Sequence, residues 1–274
     1  MLACVGCLLA GRLEGSKRVL WVLYYARIPR ERTSEAAAGR TRAGERQNMQ
    51  VELLYHTQDL ERAIATAARL CYVPVGAAEL MESLSEERVK SVLRTVLVSG
   101  HHSTLEHASY TFAIDGVSRA LTHQLVRHRL ASFNQQSQRY VKFKDGIDVV
   151  KPKSIAENEE ASARFDDLIA QIESAYRAFV EAGIPAEDAR YILPNAAESK
   201  IVVTMNVREL LHFFELRCCN RAQWEIRELA HRMLELARPT APYVFADAGA
   251  GCVRGHCPEG KMTCGTPYPR VVRD

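Results

Sequence analysis

The sequence has no long hydrophobic run, and its charges are nearly balanced. No uninterrupted apolar stretch among the 274 residues approaches the roughly 18 that a membrane-spanning helix needs. The net charge is +3, but residues 1–48 contain nine basic and four acidic residues and carry +5 alone, which leaves −2 for the other 226 residues. A body with this charge is not typical of a polybasic nucleic-acid-binding protein. We therefore expect neither a membrane nor a nucleic acid as a partner.

Several signatures of common enzyme classes are also missing. The nine histidines include no His-Glu-x-x-His pair of the helical zinc enzymes. Residues 249–255 nearly match a G-x-G-x-x-G turn, but they do not follow a strand of the βαβ type, so they do not predict a Rossmann site. Eight cysteines in a chain of this length favour a reducing compartment over a disulfide scaffold. Residues 2–10 lack the basic start and cleavage site of a signal peptide. We expect a cytoplasmic protein.

The hydrophobic pattern predicts one mixed α/β domain over residues 49–238. Residues 1–48 have no steady period and are predicted to be a weakly ordered extension, with a transit peptide as the alternative; residues 239–274 form a tail rich in Cys, Gly and Pro. Strands are predicted at residues 50–55, 110–114, 139–143 and 200–205, and helices from residue 57, near 86–99, 118–127, 157–182, 186–192, 207–217 and 220–237. Ser83 or Ser85 is expected to cap the second helix, and Gly100 to end it.

Residues 127–140, hereafter the basic segment, concentrate the polar chemistry of the chain. This segment holds three arginines, one histidine and many amide and hydroxyl side chains, with no carboxylate. Guanidinium groups are almost never fully buried without a partner, and their planar forks bind phosphates in bidentate fashion. Arg190, Arg208 and Arg217 also lie in or beside apolar segments. Arginines of this kind predict a phosphorylated ligand, and a solvated basic loop is the alternative.

Two metal sites have to be weighed against this interpretation. The first would use histidines from one part of the chain and would suit a nucleotide phosphohydrolase, a different class of enzyme: His101, His102, His107, His123 and His128. The second would be a structural zinc site in the tail, formed by Cys252, His256, Cys257 and Cys264, although reduced thiols fit the loose spacing better. A single-stranded nucleic-acid binder would need a wider basic and aromatic surface.

Four motifs together resemble the flavin-dependent thymidylate synthase family. Arg127, His128 and Arg129, followed after seven residues by Ser137, match its R-H-R-x7-S signature. Residues 101–107 resemble its H-x-[ST]-x-x-E-H segment, residues 206–213 its N-x-R-x-L-x-[NH]-F element, and residues 216–227 the helix pair that follows. The motifs occur in the family's order over about residues 49–238.

The resemblance implies a reductive methylation. A one-carbon unit would pass from 5,10-methylenetetrahydrofolate to C5 of dUMP to give dTMP, with FAD, reduced by NADPH, as the hydride source. The implied fold is the family's own α+β arrangement, a central, mostly antiparallel sheet flanked by helices and not a Rossmann fold. The implied assembly is a homotetramer whose active sites are shared between subunits.

The resemblance also implies site residues, and no metal among them. FAD would be bound by Ser103, Glu106, Arg127, His128, Arg129, Gln135, Asn206, Val207, Arg208 and His212. The nucleotide dUMP would be bound by Gln124, Leu125, Val126, Arg127, Gln135, Gln136, Ser137, Gln138, Arg139, Arg190 and Arg217. Gln135 stands where the family often has a glutamate.

Arg217 is the predicted catalytic residue. Negative charge must develop at N3 and the carbonyl oxygens of uracil before C5 becomes nucleophilic, and a fixed cation stabilises that charge. Ser137 is predicted to be a ligand of dUMP. A covalent attack by Ser137 on C6 is the alternative, but a serine nucleophile needs an adjacent base.

Overall fold

The computed structural model describes residues 49–141, 143 and 146–271. Four strands form one sheet: β1 (Gln50–His56), β2 (Ser109–Ser118), β3 (Ala131–Gln135) and β4 (Glu198–Asn206). Their spatial order is β1-β2-β4-β3, and every neighbouring pair is antiparallel. The expected α+β class with a central antiparallel sheet is therefore confirmed. The extension predicted for residues 1–48 lies outside the described residues.

Helices surround this sheet. They are α1 (Leu60–Leu70), α2 (Ala77–Ser83), α3 (Glu86–Val98), α4 (Arg119–Leu125), α5 (Lys153–Ala156), α6 (Glu159–Glu181), α7 (Ala186–Ala189), α8 (Val207–Arg217) and α9 (Trp224–Ala237). The predicted positions of α1, α3, α4, α6, α8 and α9 are confirmed to within a few residues. The short α2 was not predicted. None of the described helices is long and apolar enough to cross a membrane.

One face of the sheet supplies the main core. Alternate residues of β2, Tyr110, Phe112 and Ile114, are fully buried, as is Val203 of the neighbouring β4. They join the apolar faces of α1, α3, α8 and α9 in one cluster of buried residues. Since burying each large apolar side chain stabilises the fold by about 1.5–3 kcal/mol, this cluster fixes where α8 and α9 lie on the sheet.

The connection from β2 to β3 positions the basic segment. Both strands are antiparallel to β4, so they run in the same direction, and α4 spans the crossover between them. Ser118 caps α4: its hydroxyl accepts a hydrogen bond from the backbone N–H of Leu121 and donates one to Glu225, at the start of α9. The basic segment begins just beyond the end of α4 and continues through β3.

The helix signals in the sequence were more reliable than the strand signals. Of the two candidate caps for α3, Ser85 is the one used, since its hydroxyl accepts from the backbone N–H of Arg88. Gly100 has the expected positive φ of 72°. The strand predicted at residues 139–143 is wrong. The strand lies at Ala131–Gln135, and Tyr140 instead closes a turn by donating its backbone N–H to Ser137.

Part of the predicted tail shares the main core. Ala241, Val244, Phe245 and Ala248 are almost completely buried and belong to the same cluster as the sheet residues. Phe245 packs edge-on against Tyr110 of β2, with ring centroids 5.6 Å apart. The boundary at residue 238 stays a prediction, but this part of the tail contributes to the packing of the domain.

Candidate functional site

The basic segment alternates exposed and buried side chains. Arg127 and Arg129 are exposed, whereas His128, between them, is only 5% exposed. This arrangement follows from the chain direction, because α4 ends at Leu125 and the next residues form a turn before β3 begins. The family resemblance implies that all three of these residues contact FAD. The structure instead places two cations at the surface and one imidazole in the interior.

His128 lies at the centre of a buried polar cluster. Its Nδ1 is 3.0 Å from an oxygen of Glu209, which is itself 5% exposed. Its Nε2 accepts a hydrogen bond of 3.1 Å from Nε of Arg217. Because the arginine can only donate, Nε2 carries no proton, and Nδ1 donates to the carboxylate. Glu209, His128 and Arg217 therefore form one chain of hydrogen bonds from the start to the end of α8.

The surroundings of this cluster keep the imidazole neutral. Burial lowers the pKa of His128, and the nearby Arg217 lowers it further, while the hydrogen bond to Glu209 opposes both effects. Burial also lowers the pKa of Arg217, although an arginine remains protonated at any physiological pH. Phe213 packs edge-on against the imidazole with ring centroids 5.0 Å apart, and His212 lies 6.2 Å away.

A second cluster contains two of the predicted nucleotide ligands. Arg139 forms an ion pair with Glu187 through Nε and a terminal nitrogen, both at 2.8 Å. Arg190 donates from Nε to the backbone carbonyl of Glu187, 3.0 Å away. Arg190 also lowers the pKa of Arg119, after the larger effect of burial. Two guanidinium groups therefore lie at Glu187, that of Arg139 on its carboxylate and that of Arg190 on its backbone carbonyl.

A third cluster joins two residues that were predicted to contact the flavin. Arg208, on the exposed side of α8, donates to Glu106 at 2.5 Å. Ser103 is exposed on the same short 3-10 helix as Glu106 (His102–His107). No hydrogen bond or ion pair of the described residues joins these three clusters to one another. The predicted site residues thus form three hydrogen-bonded groups, and two of these groups meet on α8, at Arg208 and Glu209.

Several other predicted site residues already have structural roles. Gln135 donates from Nε2 to Thr122 of α4 and to Ser199 of β4. Asn206 caps α8 by accepting from the backbone N–H of Glu209. The side chains of Leu125 and Val207 are fully buried, so they can face a ligand only through the backbone. The backbone N–H of Val207 already donates to a carbonyl oxygen of residue 108.

The rest of the predicted nucleotide-binding set lies near the surface. Val126 and Gln136 are exposed, and Gln124 is half-buried. The Ser137 hydroxyl accepts a hydrogen bond from the backbone N–H of Arg139. Among the described residues, Nε2 of Gln138 is a buried donor without a hydrogen-bond partner. Such donors are rare in folded proteins, and they suit a site that a ligand completes.

A cleft of about 500 Å³ opens beside Arg217. Its walls come from the end of α8, the following loop and the segment near residues 250–268, and include His212, Cys219, Cys252, Cys257, Cys264 and Tyr268. All four of these cysteines are free thiols. In the described part of the chain, no group of three or more His, Cys, Asp or Glu side chains is arranged to hold a metal ion.

Sequence reasoning missed Glu209, Glu187 and the contribution of the C-terminal segment. A signal for Glu209 was present, because it lies four residues before the buried Phe213 and therefore on the apolar stripe of α8. A carboxylate on such a stripe requires a buried partner. No comparable signal identified Glu187, which lies on an exposed turn of α7.

Comparison with known proteins identifies the family. The fold and the site define an α+β protein whose arginine clusters suit anionic ligands. Residues 52–243 match the family described as "Thymidylate synthase complementing protein". The chain is 58% identical over 218 residues to a flavin-dependent thymidylate synthase of Geobacter sulfurreducens, covering 79% of this chain and 94% of the relative.

Two further relatives carry the same name. The one from Clostridium tetani is 45% identical over 238 residues, with 81% of this chain and 95% of the relative covered. The one from Pyrococcus abyssi is 44% identical over 222 residues, with 78% and 91% covered. The chain therefore belongs to the flavin-dependent thymidylate synthase family of enzymes, as its motifs predicted.

Proposed function

We propose that this enzyme converts dUMP to dTMP by reductive methylation in de novo dTMP biosynthesis. The carbon would come from 5,10-methylenetetrahydrofolate, and the hydride from FAD that NADPH has reduced. The environment of Arg217 is the observation that carries this proposal. Arg217 lines the cleft, it is held through Nε, and its two terminal nitrogens have no hydrogen-bond partner in the described part of the chain.

The exposed donor set fits FAD. Arg127 and Arg129 place two exposed positive charges at the start of the basic segment, which suits a diphosphate. Ser103, Arg208 and His212 add exposed donors on neighbouring elements. Glu106 would orient Arg208, while Gln135, Asn206 and Val207 would support the site through the contacts described above. FAD supplies a hydride to the reaction when it is bound.

The remaining donors fit dUMP. Arg139 and Arg190 would bind the phosphate, because it can compete with Glu187 for both guanidinium groups. Gln138 offers its unpartnered amide, and Ser137 and Gln136 lie beside it in the same turn. Gln124 and the backbone of Leu125 and Val126 would complete the contacts near Arg127. As the family's motifs imply, the site would be completed by other subunits of a homotetramer.

The chemistry assigned to Arg217 is electrostatic. Its terminal nitrogens would face the uracil carbonyl region, where negative charge develops as C5 attacks the one-carbon unit. An arginine suits this role because it does not lose its proton even when it is partly buried. His128 would take part as the group that holds Arg217, because both of its ring nitrogens are already engaged.

The same geometry favours Ser137 as a ligand over Ser137 as a nucleophile. A serine nucleophile needs a base that can take its proton. His128, the nearest candidate in the sequence, accepts from Arg217 through Nε2 and donates to Glu209 through Nδ1. It therefore has no free nitrogen for the serine.

The domain division, the compartment and the reductant complete the proposal. Residues 49–238 would form the catalytic domain, with residues 1–48 as an extension and residues 239–274 as a tail. The enzyme would work in the cytoplasm with NADPH. The alternative, a histidine-metal phosphohydrolase, has no supporting observation in the described residues, where no metal-holding group occurs.

The test is a product assay. Purified protein is incubated with dUMP, 5,10-methylenetetrahydrofolate, FAD and NADPH, and dTMP is measured by chromatography. We expect dTMP from the flavin-loaded protein only when dUMP, 5,10-methylenetetrahydrofolate and NADPH are all present, and no effect of a metal chelator. Failure to form dTMP with all four components would contradict the proposal, and metal-dependent release of phosphate would favour the alternative.

A further inference from the structure

The chain of hydrogen bonds from Glu209 to Arg217 has a fixed polarity. Glu209 can only accept, Arg217 can only donate, and His128 lies between them. An imidazole satisfies both neighbours in one form only, neutral with the proton on Nδ1. Glu209 is linked to Arg217 by two hydrogen bonds, with His128 between them. The carboxylate of Glu209 therefore decides whether Nε2 of His128 can accept a hydrogen bond from Arg217.

Burial makes this dependence strong. Glu209 and His128 are each 5% exposed, and Arg217 is half-buried at the edge of the cleft. The negative charge of Glu209 and the positive charge of Arg217 balance each other across a neutral ring. Removing one member of a buried polar network leaves the others without partners, which costs far more than an exposed contact of the same kind.

We infer that Glu209 is a positioning residue for Arg217 and acts through the tautomer of His128. The carboxylate fixes the proton on Nδ1, and Nε2 then anchors Nε of Arg217. This anchor leaves the two terminal nitrogens of the guanidinium directed for an anionic ligand. The inference rests on the proposed function for the identity of that ligand, the uracil ring of dUMP.

The first experiment measures binding by calorimetry with dUMP as the probe. In Glu209→Gln the charge is removed, and the carboxamide can either accept from or donate to Nδ1, so it no longer fixes the ring proton on Nδ1 and no longer secures Nε2 as the acceptor for Arg217. We expect dUMP affinity to fall by about 10-fold or more while the FAD content stays unchanged. Glu228→Gln, at an exposed carboxylate of α9 paired with Arg232, is the matched control and should bind as the wild type does.

A double-mutant cycle separates positioning from a general structural effect. If Glu209 acts through Arg217, then Arg217→Ala together with Glu209→Gln should bind dUMP no more weakly than Arg217→Ala alone. Additive losses in the double variant would overturn the inference, as would wild-type affinity in Glu209→Gln. His128→Gln should keep more affinity than His128→Ala, because a carboxamide can donate to Glu209 and accept from Arg217.

A second measurement does not depend on the proposed reaction. Nitrogen NMR of the histidine-labelled full-length protein reports which ring nitrogen carries the proton. We expect His128 as the Nδ1–H tautomer at neutral pH in the wild type and a changed state in Glu209→Gln. An Nε2–H tautomer in the wild type would overturn the inference. A protein that shows the expected tautomer but makes no dTMP would refute only the proposed function.

Discussion

The arginines of this protein differ in what holds them. Arg139 and Arg208 are paired with exposed carboxylates, Glu187 and Glu106, and an exposed ion pair contributes only about 0–1 kcal/mol. A phosphate can therefore displace these partners at small cost. Arg217 is held by a neutral acceptor in a buried cluster and keeps its full positive charge for a ligand. The first kind of arginine suits reversible binding and the second suits catalysis.

Replacing Arg217 should separate catalysis from flavin binding. Under the proposed function, Arg217→Ala removes the cation that stabilises the developing charge, and we expect kcat to fall by about 10²–10³-fold, as for a lost oxyanion donor. FAD content should stay at the wild-type level. Arg164→Ala, at an exposed position on α6, should leave both quantities unchanged. Steady-state kinetics with an absorbance measurement of bound flavin checks this, and unaltered turnover in Arg217→Ala would refute the role.

The neutral state of His128 predicts a pH dependence of stability. Its folded pKa is lowered by burial from an ordinary value of about 6.5. The unfolded chain therefore takes up a proton at higher pH than the folded one, so the stabilising effect of His128 is complete above pH 6.5. It is lost as the pH falls from 6.5 through the folded pKa. Protonation would set the imidazole against Arg217, with His212 also nearby.

Comparison with His128→Gln isolates this effect from that of other histidines. The burial of His231 lowers its pKa too, and it acts in the same direction in both proteins. We expect the free energy of unfolding of the wild type to exceed that of His128→Gln at pH 7.5, and the gap to shrink at pH 5. Urea denaturation at both pH values measures it, and a gap that widens at low pH would show that the sign is wrong.

At the scale of elements, two buried contacts determine where the basic segment starts. Ser118 caps α4, and Glu225 accepts from both the backbone N–H and the hydroxyl of Ser118. Burial raises the pKa of Glu225, and the two hydrogen bonds from Ser118 oppose that rise. This contact holds the first residues of α4 against the first residues of α9. The position of α4 in turn determines where Arg127, just beyond its end, lies.

Removing the buried cap should cost more than removing an exposed one. We expect Ser118→Ala to lower the free energy of unfolding by about 1–3 kcal/mol, because it uncaps α4 and leaves Glu225 short of a buried donor. Ser85→Ala, the matched change at the exposed cap of α3, should cost about 1 kcal/mol or less. Chemical denaturation checks both values. Equal losses in the two variants would show that the contact with Glu225 adds nothing.

Helices could be predicted from the sequence better than strands, for a physical reason. Apolar spacing and caps are local, so Ser85, Gly100 and the apolar face of α8 could be read directly. A strand depends on its partner. Residues 131–135 form a strand because they pair with β4, some 70 positions further along the chain. Residues 139–143 have a strand-like sequence, but those of them that the structure describes have no partner strand, and the local sequence does not show that the partner is missing. The site followed the same rule: the motifs predicted His128 and Arg217, whereas Glu209 required knowledge of what α8 packs against.

At the scale of the whole molecule, the described residues form one core, and the predicted tail is part of it. Phe245 and Ala248 pack with the sheet residues, and the cleft beside Arg217 has a wall from residues 250–268. The segment after α9 therefore contributes to the stability of the domain and to the shape of the cleft.

Deleting residues 1–48 should leave the enzyme intact. Both the family match, at residues 52–243, and the predicted catalytic domain begin after this segment. We expect the shortened protein to keep its dTMP-forming activity, its FAD content and a tetrameric mass. A tetramer of the full chain would have a mass of four times 30.7 kDa. Light scattering coupled to size-exclusion chromatography measures it, and loss of the tetramer on deletion would show that the extension takes part in assembly.

The most direct test of the proposed function is the absorbance spectrum of the purified protein. A flavin enzyme should be yellow, with the near-ultraviolet and blue bands of bound flavin, and addition of dUMP should perturb those bands because the proposed function brings nucleotide and flavin together in one site. Arg164→Ala should show the same perturbation, and Arg217→Ala a weaker one. A colourless protein that cannot be reconstituted with FAD would contradict the proposed function.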